Sequence, residues 1–246
     1  MSSKPADPFD IPPLTLRARV WLAATVIFLS GAQMLWALSD FDLPWSLFVN
    51  LSIVNVVLGT LAVLWALFGL RVDRRSIGLT LGDPKKTASG TALQLGIQGV
   101  LALLYVISLM VFARSMHLQI PVRPTSLQEF DKVWQFIILA VLIGPLYEEI
   151  VFRGMLLSAL DWPGRRWISA VGATFIFALP HWSPEGRFVP IIGAFVMGLI
   201  FCWSYYRTRS VVTPFAVHSA FNVGVIAKDL LMQYHPDLVR RLLGYS

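Results

Sequence analysis

The chain has 246 residues, 56% of them hydrophobic and only 14% charged, with a mean hydropathy of +0.67 and a net charge of +6. A soluble chain of this size normally carries about 25% charged residues, so the composition excludes an ordinary soluble domain and specifies an integral membrane protein of one domain. The single cysteine, Cys202, excludes an intrachain disulfide. The basic excess suits loops lying against anionic lipid and gives no reason to expect nucleic-acid binding.

Residues 1–19, "MSSKPADPFDIPPLTLRAR", are polar and proline-rich and form a flexible cytoplasmic segment in this reading. A transmembrane domain over 20–231 follows. A spanning helix needs roughly 20 mostly apolar residues, and seven candidates occur at 20–38, 45–70, 88–113, 133–160, 166–183, 188–206 and 210–231. The first is too long for a signal-peptide core and lacks an A-x-A cleavage site, so it is read as a retained helix. The basic loop "RVDRRSIGLTLGDPKKT" (71–87) then serves as the main topology determinant. Lys and Arg predominate on the side of the N-terminus, which places that end in the cytoplasm. The tail, 232–246, contains the basic amphipathic "DLVRRLLGYS", suited to a membrane surface. With seven spans this tail falls on the less favoured outer side, so an eight-span count stands as the alternative. The fold class expected is therefore an all-α polytopic membrane protein of about seven, or eight, transmembrane helices with a polar intramembrane site.

The fourth candidate carries "IGPLYEEIVFRGMLLSAL", and with it Glu148, Glu149 and Arg153. Ionisable groups at such depth are costly and mark a functional site by default. Two histidines, His181 and His218, also lie inside spans. At about 1.5 Å per helical residue, Glu148, His181, His218 and Asn222 lie roughly 12–22 Å from one membrane face, so three helices can bring them to one level.

Helical spacing assigns roles. Glu149 and Arg153 stand four apart with the acid first, the favoured order for an ion pair. Glu148 points about 100° away around the helix, with only Phe152 at i+4, and is left to act as a general base for water. His218 and Asn222, in "HSAFN", present an imidazole and a carboxamide on one face, both able to donate to an oxyanion. His181 follows Pro180 in "FALPHW", where the missing N–H is expected to bend the helix and open a wet cavity. Gly144-Pro145 is expected to open the fourth helix similarly. Taken singly, each of these residues has a packing explanation, as do Gly193 and Gly198; the constellation does not.

"EEIVFR", "FALPH" and "HSAFN" occur in the order EExxxR, FxxxH, HxxxN. In these motifs the chain resembles the CAAX-protease and bacteriocin-processing (CPBP, Abi) family of intramembrane endopeptidases, over a core of about 133–225. The resemblance implies hydrolysis of a peptide bond in a membrane-associated protein or peptide. Glu148 would activate water with His181, while His218 and Asn222 would stabilise the oxyanion. Glu149 and Arg153 would brace the site, a share in catalysis for Glu149 being the alternative the resemblance leaves open, and Phe177 would pack near His181. A glutamate mechanism without a cofactor is expected, in a bacterial inner (plasma) membrane. The alternative is a zinc site of His181, His218 and Glu148 with Glu149 as base, although HExxH is absent. A proton-relay transporter and a non-proteolytic immunity or scaffold protein remain as readings of another class. Substrate and oligomeric state are not specified by the sequence.

Overall fold

The structure, a computed structural model, describes residues 11–37, 54–82, 88–97, 132–162, 164–181 and 188–235, with single positions 85, 100 and 237. Within these residues every regular element is helical. Helix α1 is Leu16–Ala37, and α2 runs from Val54 to Gly69 with π-helical turns at both ends. A short 3₁₀ turn, Arg74–Ile77, and helical backbone at 88–97 follow. Then come α3 (Val133–Leu160), α4 (Arg166–Ala178), α5 (Phe188–Thr208) and α6 (Val212–Tyr234). Helices meet all backbone hydrogen bonds within the segment, which is what a hydrocarbon solvent demands.

Leu16–Leu35, Val133–Leu160 and Ile191–Thr208 are long and apolar enough to cross a membrane, and Asn55–Gly69 and Val212–Ala227 are shorter apolar helices. The chain is a polytopic membrane protein. Of the seven expected spans, most of 88–113 and the start of 45–70 lie outside the described residues, as do residues 1–10 and the tail beyond 237. Helix α1 begins at Leu16, inside the segment expected to be flexible, with the Thr15 hydroxyl accepting from the Ala18 N–H at 3.2 Å. The expected span at 166–183 holds an α-helix of only 13 residues, which gives way to a 3₁₀ turn at Leu179–His181. Pro180, lacking an N–H, breaks this helix where a bend was expected.

Helix α3 is the axis of the molecule. Its Val151, Met155, Leu156 and Leu157 are fully buried, packed among Leu22 and Val26 of α1, Phe177 of α4 and Phe201 of α5. Its C-terminal carbonyls are taken by Arg19 of α1, whose guanidinium donates to Ala159 and Asp161 oxygens at 3.1 and 2.6 Å. A cation at a helix C-terminus also opposes the helix dipole. The 3₁₀ turn is capped by Asp73, which accepts from the Arg75 backbone and guanidinium at 2.7 and 3.2 Å; these hydrogen bonds hold the Asp73 carboxyl below its usual range. The turn presses on α3 where Gly154 leaves room: a Cβ there would sit 2.7 Å from the Ile77 carbonyl oxygen.

That contact sets a test of the packing. Backbone oxygen cannot step aside as a side chain can, so Gly154→Ala should cost about 1–3 kcal/mol and lower the thermal midpoint in detergent. Gly172→Ala places its Cβ 3.9 Å from Leu160, ordinary contact, and should leave the midpoint unchanged or raise it through the better helix propensity of alanine.

Candidate active site

Three features of α3 place its polar residues. Gly144 and Pro145 follow a π-helical stretch, Leu139–Ile143, and a second one, Glu149–Leu157, begins at the glutamates themselves. Such wide turns are frequent at functional sites. A π turn holds more residues than an α turn, so Glu149 and Arg153 come nearly one above the other. Arg153 Nη1 donates to Glu149 Oε1 at 3.1 Å, with both side chains fully buried. The pair is held from several sides. Arg153 Nη2 donates to the Gly198 carbonyl at 3.3 Å, and the guanidinium lies over the rings of Phe177 and Phe201 at 4.2 and 4.9 Å.

The same oxygen, Glu149 Oε1, accepts from His218 Nδ1 at 2.9 Å. A carboxylate oxygen can only accept, so the proton on this edge of the imidazole is at Nδ1. The opposite nitrogen, Nε2, faces Glu148 Oε2 at 3.8 Å. The ring is stacked on Phe201 with centroids 4.6 Å apart and planes at 21°. Glu148 differs from its neighbour in exposure and in pairing: its side chain is 28% exposed against 0% for Glu149, and it has no share in the Arg153 ion pair. The Oε2 atoms of both glutamates lack a hydrogen-bond partner among the described residues.

His181 sits on the turn that ends α4. Its Nδ1 lies 3.1 Å from the Phe177 carbonyl, which fixes the hydrogen on Nδ1 and leaves Nε2 as an acceptor. Its ring packs on Phe177 at 5.0 Å, and it interacts electrostatically with Glu148 and His218. The structure thus brings Glu148, Glu149, Arg153, Phe177, His181 and His218 into one cluster.

Asn222 joins it differently. Its Nδ2 donates to the Ala140 carbonyl of α3 at 2.7 Å. The reason lies in the π turn: Gly144 N–H bonds the Leu139 carbonyl five residues back. The next bond in that ladder would join residue 145 to Ala140. Pro145 has no N–H to give, and the amide of Asn222 supplies it from the neighbouring helix. One amide hydrogen is spent in this way, and the carboxamide carries a second.

Sequence reasoning missed Phe201, which orders His218 and Arg153 together. Its signal was faint: it lies one helical turn after Gly198, on a face of α5 otherwise indistinguishable from lipid-facing sequence. Gly198 itself is a close-packing position, as expected. A Cβ there would sit 2.6 Å from Thr174 and 3.3 Å from the Arg153 guanidinium. For the zinc alternative, no group of three or more His, Cys, Asp and Glu side chains among the described residues is placed to hold a metal ion.

Residues 130–224 match the family described as type II CAAX prenyl endopeptidase Rce1-like. The chain is also 34% identical over 118 residues to the membrane-embedded CAAX protease MroQ of Staphylococcus aureus (strain USA300). That similarity covers 45% of this chain and 44% of the relative, so the chain spans less than half the length of the curated protein it matches. No solved structure matches the chain.

The Ala140–Pro145–Asn222 arrangement gives a coupling that can be measured. Asn222→Ala leaves a partly buried carbonyl without its donor and should cost about 1–3 kcal/mol. In a Pro145→Ala background the restored N–H can take that carbonyl, and the cost of Asn222→Ala should fall by at least half. A double-mutant cycle of thermal or denaturant stability in detergent checks this; additive effects would show that Asn222 is not standing in for the missing donor.

Proposed function

We propose that the protein is an intramembrane endopeptidase that cleaves a membrane-associated protein or peptide, a reading supported by the match of residues 130–224 to the Rce1-like type II CAAX prenyl endopeptidase family. The observation that carries the reading is the division of labour between adjacent glutamates. Glu149 is fully buried and neutralised by Arg153, whereas Glu148 is partly exposed and has no arginine partner among the described residues. The first arrangement holds a site together. The second is what a general base needs before water and substrate arrive.

In the proposed reaction, water is held between Glu148 and the acceptor nitrogen of His181. Glu148 takes a proton from it as its oxygen bonds to the scissile carbonyl carbon. The carbonyl electron pair moves onto oxygen, where the second amide hydrogen of Asn222 and a His218 ring carrying hydrogen on both nitrogens, Nδ1–H to Glu149 and Nε2–H to the oxyanion, stabilise it. Collapse of the tetrahedral intermediate breaks the C–N bond, and the proton on Glu148 passes to the departing amine. Glu149 accepts from His218 Nδ1 and keeps the imidazole aimed, with its charge balanced by Arg153. Glu148 ends the cycle as the carboxylate it began as, the hydrogens of the water are carried off on the two products, and no cofactor takes part. The membrane is proposed to be a bacterial inner (plasma) membrane with the N-terminus cytoplasmic, in keeping with the bacterial relative and the distribution of basic residues. Prenylation is essentially a eukaryotic modification, so an unprenylated membrane peptide is the proposed substrate class.

The test is cleavage of a membrane-peptide library by the purified protein. Glu148→Gln should lower the rate by about 10²–10⁴-fold, the usual worth of a positioned general base, and a chelator should leave the wild type unaffected. Loss of activity in chelator with recovery on adding zinc would replace the glutamate mechanism by the His181–His218–Glu148 metal site. Equal cleavage by wild type and Glu148→Gln would remove Glu148 from the chemistry.

A further inference from the structure

At the end of the molecule where Arg19 grips the C-terminus of α3, a cavity of about 430 Å³ opens between the start of α1 and the end of α2. It is lined by Thr15, Arg17 and Ala18 from one helix and by Gly69, Leu70 and Arg71 from the other. No acidic residue lines it among the described residues. Arg17 and Arg71 are both exposed, and neither has a hydrogen-bond or ion-pair partner among the described residues. Other arginines at this end do find acceptors in the chain: Arg19 on the α3 carbonyls, Arg75 on Asp73, Arg209 on Asp161.

Arg71 and Arg209 share a second property. They are the non-glycine residues with positive φ among those described, at 54° and 52°. Each ends a helix in the left-handed conformation that usually selects glycine. Arg209 delivers its guanidinium to Asp161 at 3.1 Å, a contact that accounts for an arginine in a glycine's place. Arg71 occupies the corresponding position with an open cavity before it and no carboxylate.

Towards the middle of the same two helices the surface turns apolar and aromatic. Trp21 lies one turn beyond Arg17 on the same face of α1. On α2, Trp65 and Phe68 precede Arg71. The rings of Trp21 and Trp65 meet edge to face with centroids 6.5 Å apart, and Phe68 is 74% exposed. Two guanidinium groups without a partner among the described residues thus stand at the ends of the two helices that carry these rings, where the headgroup layer of a bilayer would lie.

We propose that this cavity binds an anionic phospholipid. Arg17 and Arg71 hold the headgroup phosphate, and one acyl chain lies along Trp21, Trp65 and Phe68. A guanidinium fork matches phosphate geometry, and basic pockets between transmembrane helices are suited to anionic headgroups. Tryptophan rings favour the interfacial depth at which headgroup and chain join. The bound lipid bridges α1 and α2, both of which pack on α3: Leu22 and Val26 of α1 share its buried core, and Gly59 of α2 lies against the ring of Tyr147, next to Glu148.

The test uses the full chain in detergent micelles with equimolar dioleoylphosphatidylglycerol and dioleoylphosphatidylcholine, and retained lipid is read by native mass spectrometry. Wild type should retain the phosphatidylglycerol in preference by about tenfold or more. Arg17→Gln with Arg71→Gly should bring the two lipids close to parity. Arg71→Gly alone keeps the fold, because glycine accepts the positive φ, and should lose most of the preference with an unchanged or higher thermal midpoint. Arg74→Gln, exposed at the same end but outside the cavity, should behave as wild type. An undiminished preference in the double variant, or an equal loss in Arg74→Gln, would overturn the site. Displacement of the lipid by millimolar inorganic phosphate would overturn the lipid assignment, since the cavity would then read phosphate alone.

Discussion

A single carboxylate oxygen organises the interior of this protein. Glu149 Oε1 receives Arg153 from its own helix and His218 from α6, so one atom joins the central helix to the last. Removing charges from water is expensive, and a buried pair repays part of that cost through further contacts of its two partners, although Glu149 Oε2 and Arg153 Nε have no hydrogen-bond partner among the described residues. Here Arg153 reaches on to the Gly198 carbonyl and lies against Phe177 and Phe201, which ties in α4 and α5. Four helices therefore meet through one ion pair. Glu148, one residue away, has no share in the Arg153 pair and meets the network only across the 3.8 Å gap to His218 Nε2.

Departures from regular α-helix do the rest. The π stretches of α3, the proline at 145 and the break at Pro180 each release a backbone group or widen a turn, and each lies beside a polar side chain of the cluster. The unmet carbonyl of Ala140 is answered by Asn222, and the carbonyl of Phe177 fixes the tautomer of His181. In hydrocarbon an unpaired backbone group is costly, so irregular backbone persists where side chains complete it. Local irregularity and the polar cluster support one another.

Much of the site was legible because intramembrane charge is rare. Glu148, Glu149, Arg153, His181 and His218 stand out against apolar sequence, and the i,i+4 spacing gave the Glu149–Arg153 pair directly. The His218–Glu149 bond was not legible, since spacing within one helix says nothing about which of two adjacent glutamates a neighbouring helix will face. Phe201 was hidden for the opposite reason: an apolar residue in a membrane helix carries no mark distinguishing a ring that stacks on histidine from one that faces lipid. The extent of the helices was only partly readable. Hydropathy gives length, but Pro180 ends α4 well short of the apolar run that contains it, and Leu16 begins α1 inside a segment whose composition suggested disorder.

The division between a glutamate that holds and a glutamate that works is best tested by comparing thermal unfolding of Glu149→Gln and Glu148→Gln in one detergent. Glu149→Gln leaves Arg153 buried without its counter-charge and weakens the acceptor for His218, so it should lose about 3–5 kcal/mol. Glu148→Gln removes a carboxylate that is 28% exposed and takes no part in the Arg153 ion pair, and should unfold at or above the wild-type temperature. Equal losses in the two variants, or a larger loss in Glu148→Gln, would contradict the assignment of structure to Glu149 and chemistry to Glu148.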